Sequence, residues 1–264
     1  MSNYQICKRC VMDTSATEII FFDDGRCSFC KDFDDRVSLE IHNDLPDSFL
    51  VKFADQVKSS GSGREYDCLI GISGGVDSSY VAYLTKSLGL RPLAIHLDNG
   101  WNSELATANI ENLCEKLDID LETTVLDWKE FRDIQRSFLQ SSISNVEIPT
   151  DHAIWAILVK TAAKHGIKYI ISGSNAANES IMPNSWLYGS KDAKIIKSIH
   201  KKFGSLPMRT FPYLTIFDYF EKLFLRRIKW IPILNYMNFN KEQAKTFLMT
   251  EYDWRDYGGK HYES

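Results

Sequence analysis

The chain has 264 residues, 44% of them hydrophobic, which is enough for one α/β domain with small additions and a sizeable core. Its formal net charge of -4 at pH 7 argues against a general nucleic-acid binder. Because the N-terminus lacks the apolar run of a signal peptide and no apolar stretch of about eighteen residues occurs, we expect a cytoplasmic protein with no membrane partner.

Four of the six cysteines form two Cys-x2-Cys pairs near the N-terminus. Cys7 and Cys10 make the first pair, Cys27 and Cys30 make the second, and 16 residues separate them. This spacing is typical of a four-thiolate site, whose sulfurs close a tetrahedron and leave no position for water. We therefore predict a zinc ribbon in residues 1–35 with a structural Zn2+, and a rubredoxin-like iron site or a redox dithiol is the alternative.

Residues 36–65 are predicted to form a helical linker that ends in a Ser/Gly-rich stretch. From Tyr66 onward, segments with strand and helix patterns alternate, which predicts a doubly wound parallel sheet in residues 66–190. Cys68 lies in an apolar strand and Cys114 on a helix, and both are expected to be buried, inert thiols. Residues 191–264 look mainly helical and are predicted to form a C-terminal extension. The predicted strands are 67–72, 92–97, 121–126 and 169–172, and the predicted helices are 78–88, 104–117, 129–141 and 151–165.

The most specific motif follows the first strand and opens a helix. Such a turn gathers unpaired N–H groups and the positive end of the helix dipole, so it predicts an anion site. No Lys follows the glycines as in GxxxxGK[ST], so transfer of a γ-phosphoryl group is not expected. The run resembles the PP-loop of N-type ATP pyrophosphatases, which cleave ATP between the α- and β-phosphates to adenylate a substrate oxygen. The residues in this run are Ser73, Gly74, Gly75, Val76, Asp77, Ser78 and Ser79.

All seven residues of this run are expected to surround the phosphates of ATP. We predict catalytic roles for Ser73, Asp77 and Ser78, with Asp77 holding Mg2+ on the pyrophosphate leaving group. Capping of the helix is the alternative role for Asp77.

Two further strand ends are expected to reach the same crevice, because ligands of doubly wound sheets bind at the carboxyl ends of the strands. The backbone near Leu97 and the side chain of Asp98 could take the adenosine, and Gly173 would permit close backbone approach. Asp98 with Asn99 could instead form a turn, and Gly173 could be a turn glycine.

Lysines recur at helical spacing in residues 191–203 and predict a positive stripe on an acidic protein. The stripe suits an anionic sugar, a nucleotide diphosphate or a partner surface, and a solvated helix face is the alternative. Isolated tryptophans along the chain are expected to pack in the core. The candidate substrate contacts are Lys197, His200, Lys201, Lys260 and His261.

Several motifs together resemble the N-acetyl sugar amidotransferase family over nearly the whole chain. They are CKRCVM at 7–12, the loop at 73–79, DNGW at 98–101, PTDH at 149–152 and GGKHYES at 258–264. The resemblance implies ATP-dependent conversion of a sugar acetamido group to an acetamidino group, in surface polysaccharide (O-antigen) or nonulosonic acid biosynthesis. It also implies a nucleotide-linked N-acetylated sugar as acceptor and ammonia from a separate glutaminase subunit. Members of that family continue beyond the last motif, so we expect a truncated or short variant.

Two other functions remain open from the residues. A tRNA-modifying PP-loop enzyme shares the loop and the paired cysteines, and RNA binding would reveal it. The acidic balance, and the lack of an evident reactive cysteine after the nucleotide loop, count against that function. A binding scaffold without turnover is the other alternative, and nucleotide binding without hydrolysis would favour it.

Overall fold

The computed structural model describes residues 4–42, 44–46, 48–176, 189 and 191–258. In it, five parallel strands form one sheet in the order β3-β2-β1-β4-β5. The order reverses at β1, so a crevice forms where the loops after β1 and β4 diverge. The predicted doubly wound α/β fold is confirmed. The strands are β1 Cys68–Gly71, β2 Pro92–Asp98, β3 Asp120–Val125, β4 Tyr169–Ser172 and β5 Lys229–Pro232.

Helices connect and cover the strands, and none in the described part is both long and apolar enough to cross a membrane. A π-helical turn, Phe220–Leu225, and a 3-10 turn, Ile233–Tyr236, lie on either side of β5. The α-helices are α1 Ser28–Glu40, α2 Ser48–Ser60, α3 Val76–Ser87, α4 Glu104–Leu117, α5 Trp128–Ser141, α6 Ile148–His165, α7 Ala193–Phe203, α8 Ile216–Tyr219 and α9 Lys241–Tyr252.

The two faces of the sheet carry separate apolar layers because neighbouring residues of a strand point to opposite faces. On β1, Cys68 and Ile70 lie in a layer formed with α2, α3, α4 and α9. Leu69 lies in a second layer, formed mainly with α6. The central strands β1, β2 and β4 are thus mostly buried, which leaves their ends for binding.

The C-terminal part differs from the predicted helical extension in one respect. Lys229–Pro232 adds β5 to the sheet, pairing with β4 from Tyr169 to Ser172. The strand has only four residues and lies between a π-helical and a 3-10 turn, so the sequence shows no alternating pattern there. The boundary predicted at residue 35 falls inside α1, because the second cysteine pair leads directly into that helix.

Candidate active site

The predicted anion loop (residues 73–79) joins β1 to α3 at the carboxyl end of the sheet. Gly74 has φ +84°, and a Cβ atom there would lie 2.7 Å from the carbonyl oxygen of Ala106, so only glycine fits. Gly75 is the N-cap of α3 and supplies no side-chain cap bond. The first N–H groups of the helix therefore lack a side-chain acceptor from their own cap, as an anion site requires.

Serine hydroxyls line this loop. The Ser73 N–H donates to Ser78 Oγ at 3.2 Å, and Ser78 Oγ donates to the Gly75 carbonyl at the same distance. Ser79 Oγ is fully buried and has no hydrogen-bond partner among the described residues. Glycine N–H groups, hydroxyls and an open helix terminus form a donor set that fits the phosphates of ATP.

Residues near the C-terminus bind a backbone carbonyl of the anion loop. Trp254 Nε1 donates to the Gly74 carbonyl oxygen at 2.8 Å, and the Tyr257 hydroxyl donates to the same atom at 2.7 Å. The Asn109 side chain on α4 fixes this segment through two hydrogen bonds of 2.9 Å. Its Nδ2 donates to the Arg255 carbonyl, and its Oδ1 accepts from the Arg255 N–H. The sequence gives no sign of these residues, because contacts over such separations leave no local pattern.

Asp77 lies in the first turn of α3, and its side chain is 20% exposed. The N-cap position belongs to Gly75, so the alternative role of Asp77 as the helix cap is not what the structure shows. Lys241, the first residue of α9, places Nζ 3.4 Å from Asp77 Oδ2. A lysine absent from the loop motif is thus supplied by a distant helix. The carboxylate and the nearby hydroxyls are oxygen ligands of the kind that Mg2+ prefers.

The loop after β4 approaches the first turn of α3 very closely. A Cβ atom at Gly173 would lie 2.9 Å from the carbonyl carbon of Asp77 and 3.1 Å from the Ser78 nitrogen. The predicted close approach at Gly173 is therefore to the backbone of the anion loop itself. The Ser172 and Ser174 hydroxyls, 2.5 Å apart, border this contact.

The loop after β2 is tied to the end of β1 by a buried histidine. His96 Nδ1 lies 3.0 Å from the Ile72 carbonyl, and Nε2 lies 3.0 Å from Asn102 Nδ2. Since an amide NH2 can only donate, Nε2 accepts and Nδ1 carries the proton. Leu97 and Asp98 lie beside this histidine at the carboxyl end of the sheet, where the adenosine was predicted.

Asp98 also shapes the turn that follows β2. Its Oδ1 accepts from the Gly100 N–H at 2.9 Å, and Asn99 Oδ1 accepts from the Trp101 N–H at 3.0 Å. Asp98 and Asn99 therefore form the turn that was the alternative prediction for these two residues. A turn role and an adenosine contact are compatible for Asp98.

The lysine stripe lies on α7, where Lys194, Lys197 and Lys201 are exposed. Lys197 Nζ lies 3.7 Å from the centre of the Tyr213 ring, in a cation–π contact. Lys191 precedes the helix, contrary to the predicted start, and its Nζ lies 4.5 Å from the Trp155 ring centre. The candidates Lys260 and His261 fall outside the described residues.

His200 does not belong with the exposed lysines. It is 8% exposed, and its Nε2 lies 3.1 Å from Oδ2 of Asp133, which is 7% exposed. A Cβ atom at Gly204 would lie 2.5 Å from the imidazole. His200 thus anchors α7 to α5, and the predicted substrate contact at this residue is corrected to a packing role.

Buried polar groups of α5 and α6 hold the segment 205–214, which we call the anchored loop. Asp133 accepts the N–H groups of Ser205 and Leu206 at 2.8 and 2.9 Å. His152 Nε2 accepts from the Leu214 N–H at 3.1 Å. These contacts fix both ends of a segment without helix or strand, which would otherwise be free to move.

Glu130 holds the middle of the anchored loop. Its carboxylate accepts the N–H groups of Arg209, Thr210 and Phe211 and the Thr210 hydroxyl, at 2.6 to 3.0 Å. Burial raises the pKa of Glu130, but these hydrogen bonds lower the pKa by more, so its net pKa lies below the ordinary value. The sequence offered no sign of this role, because charged residues on amphipathic helices are usually exposed.

The four N-terminal cysteines converge as predicted. Their Sγ atoms all lie within 4.8 Å of one another, and none forms a disulfide. The closest separations are 3.6 Å for Cys10 and Cys27, 3.7 Å for Cys7 and Cys30, and 3.8 Å for Cys27 and Cys30. A tetrahedral Zn2+ with Zn–S bonds of about 2.3 Å places its sulfurs about 3.8 Å apart. These three separations match the spacing in a tetrahedral zinc site, so the cluster could hold zinc.

The environment of Cys7 suits a thiolate ligand. Burial raises its pKa, but N–H groups of Arg9, Cys10 and Cys27 lower it by more, so the net pKa is about 6. The remaining two cysteines behave differently: burial raises the pKa of Cys68, and it raises that of Cys114 to about 11. Both are buried, and a raised pKa leaves little reactive thiolate at neutral pH.

Comparison with known proteins agrees with the fold. The family model described as NAD synthase matches residues 49–201, more than half of the chain. An NH3-dependent NAD synthetase from Campylobacter jejuni is 19% identical, with 49% of this chain and 58% of that chain covered and a TM-score of 0.37. The chain thus spans 58% of the length of that protein. The comparison with curated proteins gives no match.

Two further solved structures are similar to the chain. A predicted subunit of tRNA methyltransferase from Methanocaldococcus jannaschii is 14% identical, with 69% of this chain and 75% of that chain covered and a TM-score of 0.39. An NMN synthetase from Francisella tularensis is 18% identical, with 75% of this chain and 85% of that chain covered and a TM-score of 0.35. On the family-model match and the anion loop at the carboxyl end of its sheet, the chain belongs to the NAD synthase family of PP-loop ATP pyrophosphatases.

Proposed function

We propose that the protein is an AMP-forming amidotransferase that replaces the acetamido oxygen of an N-acetylated, nucleotide-linked sugar with nitrogen. One observation carries the ATP part of the proposal: the anion loop opens α3 at Gly75 without a side-chain cap, and it has no lysine of its own. Such a loop suits departure of pyrophosphate more than transfer of the γ-phosphoryl group. The sugar part rests on the resemblance of the motifs at both ends of the chain.

The reaction would proceed in two balanced steps. The acetamido oxygen attacks the α-phosphorus of ATP, the bond to the bridging oxygen breaks, and pyrophosphate leaves. Ammonia then attacks the imidate carbon, and AMP leaves with the former acetamido oxygen. The products are the acetamidino sugar, AMP and pyrophosphate. Adenylation is needed because oxide or hydroxide is a very poor leaving group, whereas AMP leaves readily.

Catalysis would depend on position and charge. The N–H groups at Gly74, Gly75 and Val76 and the hydroxyls of Ser73 and Ser78 would hold the phosphates, whereas the fully buried Ser79 hydroxyl would not reach them. Asp77 would hold Mg2+, which when bound neutralises charge on the pyrophosphate leaving group. Lys241, 3.4 Å from Asp77, lies where a second positive charge could assist that departure.

Ammonia would come from a separate glutaminase. All six cysteines of the chain are accounted for, four in the metal cluster and two as buried thiols with raised pKa values. No accessible cysteine is left to attack glutamine, which supports a requirement for external ammonia. The same observation weighs against a thiolating tRNA enzyme, and the net charge of -4 weighs against an RNA acceptor.

A second candidate is amidation of a nicotinate nucleotide, which the family match over residues 49–201 favours. The chemistry is parallel, because a carboxylate oxygen would be adenylated and ammonia would then displace AMP. The distinction lies in the acceptor alone, so a single assay separates the two candidates.

Product analysis with Mg-ATP, ammonium and a panel of acceptors tests the proposal. The panel contains nucleotide-linked N-acetyl sugars, nicotinic acid adenine dinucleotide and unmodified tRNA. Formation of AMP and pyrophosphate that depends on one sugar, with a mass decrease of one unit in that sugar, is expected. Turnover only with the nicotinate nucleotide or only with tRNA would contradict the sugar acceptor, and ATP binding without any turnover would favour a scaffold.

A further inference from the structure

We propose that Trp101 and Trp128 form a stacking platform for the hexose ring of the acceptor, beside a cavity at the carboxyl ends of β2 and β3. The identity of the acceptor rests on the proposed function. The site itself rests on the geometry of two tryptophans for which the sequence indicated no ligand contact.

The platform is connected to the anion loop through a short run of contacts. Gly74 is pressed against Ala106 in the first turn of α4, and Ser103 caps that helix by accepting from the Ala106 N–H at 3.1 Å. Trp101 lies two residues before this cap, and Asn102 between them bonds to His96. The indole therefore lies on the loop that joins β2 to α4, next to the helix turn that contacts the anion loop.

The two indoles form an exposed corner. Trp101 is 56% exposed and Trp128 is 38% exposed, and their rings lie 5.3 Å apart at 77°. By contrast, Trp254 is 2% exposed and Trp155 is 9% exposed, as core tryptophans usually are. The expectation that Trp101 packs in the core is therefore wrong. Exposed aromatic surface at the carboxyl ends of parallel strands, where ligands bind, indicates a ligand contact.

The corner is held in place by specific contacts. Trp101 Nε1 donates to Gln135 Oε1 at 2.8 Å, which fixes the indole on α5. Gly100 has φ +84°, and a Cβ atom there would lie 2.7 Å from Cε3 of Trp128. Only glycine allows the loop to approach Trp128 this closely. A platform that is fixed before binding loses little entropy when a ring stacks on it.

A cavity of about 370 Å³ lies at the carboxyl end of β3, and Asp127, the residue before Trp128, is part of its lining. Leu126 at its base donates its N–H to the Asp98 carbonyl at 2.9 Å, so the cavity borders the strand end where adenosine is predicted. Its volume lies within the range of about 300 to 1,000 Å³ that is usual for small-molecule sites. Its lining residues are Thr124, Val125, Leu126, Asp127, Thr210 and Pro212.

The lining matches a hexose in its chemistry. Val125 is 68% exposed and offers apolar surface, whereas Thr124 and the exposed Asp127 offer hydroxyl and carboxylate oxygens. A pyranose ring has an apolar C–H face for the indole and hydroxyl donors for such oxygens. Thr210 forms the opposite wall on the anchored loop, where Glu130 holds it. The hexose ring would thus lie on the platform, with the acetamido group that it carries directed toward the anion loop.

Calorimetric binding to the full-length protein tests the site without requiring turnover. The protein is saturated with Mg2+ and α,β-methylene ATP and titrated with UDP-N-acetylglucosamine, UDP-N-acetylgalactosamine or UDP alone. Trp101→Ala should raise the Kd of at least one UDP-sugar about tenfold, equivalent to about 1.4 kcal/mol, and Trp101→Phe should raise it less. Phe217→Ala, which removes an aromatic side chain 81% exposed on α8, is the matched control and should change nothing.

Three results would overturn the site: no binding of either UDP-sugar to the wild-type protein, equal affinity in Trp101→Ala, or the same loss for UDP alone. The last result would show that the platform holds the base instead of the hexose. Binding of a sugar without formation of AMP would contradict the proposed function and leave the platform intact. Sugar-dependent AMP formation with an unaltered Trp101→Ala affinity would contradict only the platform.

Discussion

Trp254 donates its indole N–H to the carbonyl oxygen of Gly74 across 180 residues of sequence, at 2.8 Å. The carbonyl of Gly74 and the N–H of Gly75 belong to one planar peptide and point in opposite directions. A donor that binds the Gly74 carbonyl therefore directs the Gly75 N–H away from the C-terminal segment. The Tyr257 hydroxyl reinforces this orientation at 2.7 Å, so the C-terminus takes part in building the anion site.

Tyr257→Phe removes one of the two donors and keeps the ring. We expect the KM for ATP to rise about threefold to tenfold, because a hydrogen bond of this kind contributes about 1 kcal/mol. Thermal unfolding should change little, since Trp254 still satisfies the carbonyl. Steady-state pyrophosphate release measures the effect, with Tyr252→Phe on the same segment as control. An unchanged KM for ATP in Tyr257→Phe would show that the hydrogen bond from Tyr257 to the Gly74 carbonyl does not shape the anion site.

Gly173→Ala places a methyl group against backbone atoms of the anion loop. Because the Asp77 carbonyl carbon at 2.9 Å cannot move without distorting α3, we expect ATP affinity to fall about tenfold or more. Gly71→Ala is the control, as its Cβ would lie 3.4 Å from Leu158 Cδ1, an ordinary contact. Binding of α,β-methylene ATP by calorimetry compares the two, and equal affinities would contradict the close approach.

Asp77→Ala tests the predicted Mg2+ ligand. Pyrophosphate release should fall about a hundredfold or more, because an aligned charge at the leaving group is lost. The metal content of the cysteine cluster should stay the same, since Asp77 lies on α3 and the cluster lies in residues 7–30. Retained turnover in a folded Asp77→Ala protein would remove this residue from the mechanism.

Glu130→Gln tests the anchored loop through its pH dependence. The folded-state pKa of Glu130 is lowered, so its carboxylate stabilises the protein at neutral pH. This stabilisation is lost as the pH falls below the ordinary carboxyl pKa of about 4.3 toward the lowered value. Wild type should exceed Glu130→Gln by about 2 kcal/mol near pH 7, with the difference shrinking below about pH 4.

Chemical unfolding at several pH values measures that difference. Glu111→Gln, an exposed change on α4, is the control and should have little effect at any pH. A Glu130→Gln deficit that stays constant as the pH falls from about 7 to well below about 4 would contradict a stabilising carboxylate.

The cysteine cluster predicts one metal ion per chain. Cys27→Ser should abolish stoichiometric binding, because three thiolates and a hydroxyl no longer close the tetrahedron. Cys114→Ala removes a buried thiol far from the cluster in sequence and should keep one equivalent. Elemental analysis of the purified proteins decides the stoichiometry and also distinguishes zinc from iron. One equivalent retained in Cys27→Ser would contradict the four-cysteine site.

Local patterns were sufficient for the first four strands, the anion loop and the cysteine cluster, because each depends on residues close together in sequence. Gly74 and Gly75 between an apolar strand and a helix are distinctive wherever the rest of the chain lies. The strand β5 was missed, since the four residues Lys229–Pro232 form a strand only through pairing with β4.

The residues that were misjudged depend on distant partners. His200 looked like part of a basic helix face, but Asp133, 67 residues away, draws it into the interior. Glu130 was not singled out from the sequence at all, because its donors lie on the anchored loop, about 80 residues later. The prediction for Trp101 was wrong in the opposite sense. Aromatic residues usually pack in the core, but the structure shows Trp101 exposed at the end of the sheet.

The most direct test of the account follows the oxygen atom that the reaction removes. A nucleotide-linked N-acetyl sugar carrying ¹⁸O in its acetamido group is incubated with the protein, Mg-ATP and ammonium, and the AMP is analysed by mass spectrometry. Transfer of the ¹⁸O to AMP, in equal amount to the acetamidino product, is the predicted result. AMP without the label, or release of ADP in place of AMP, would contradict adenylation of the acceptor oxygen and with it the proposed function.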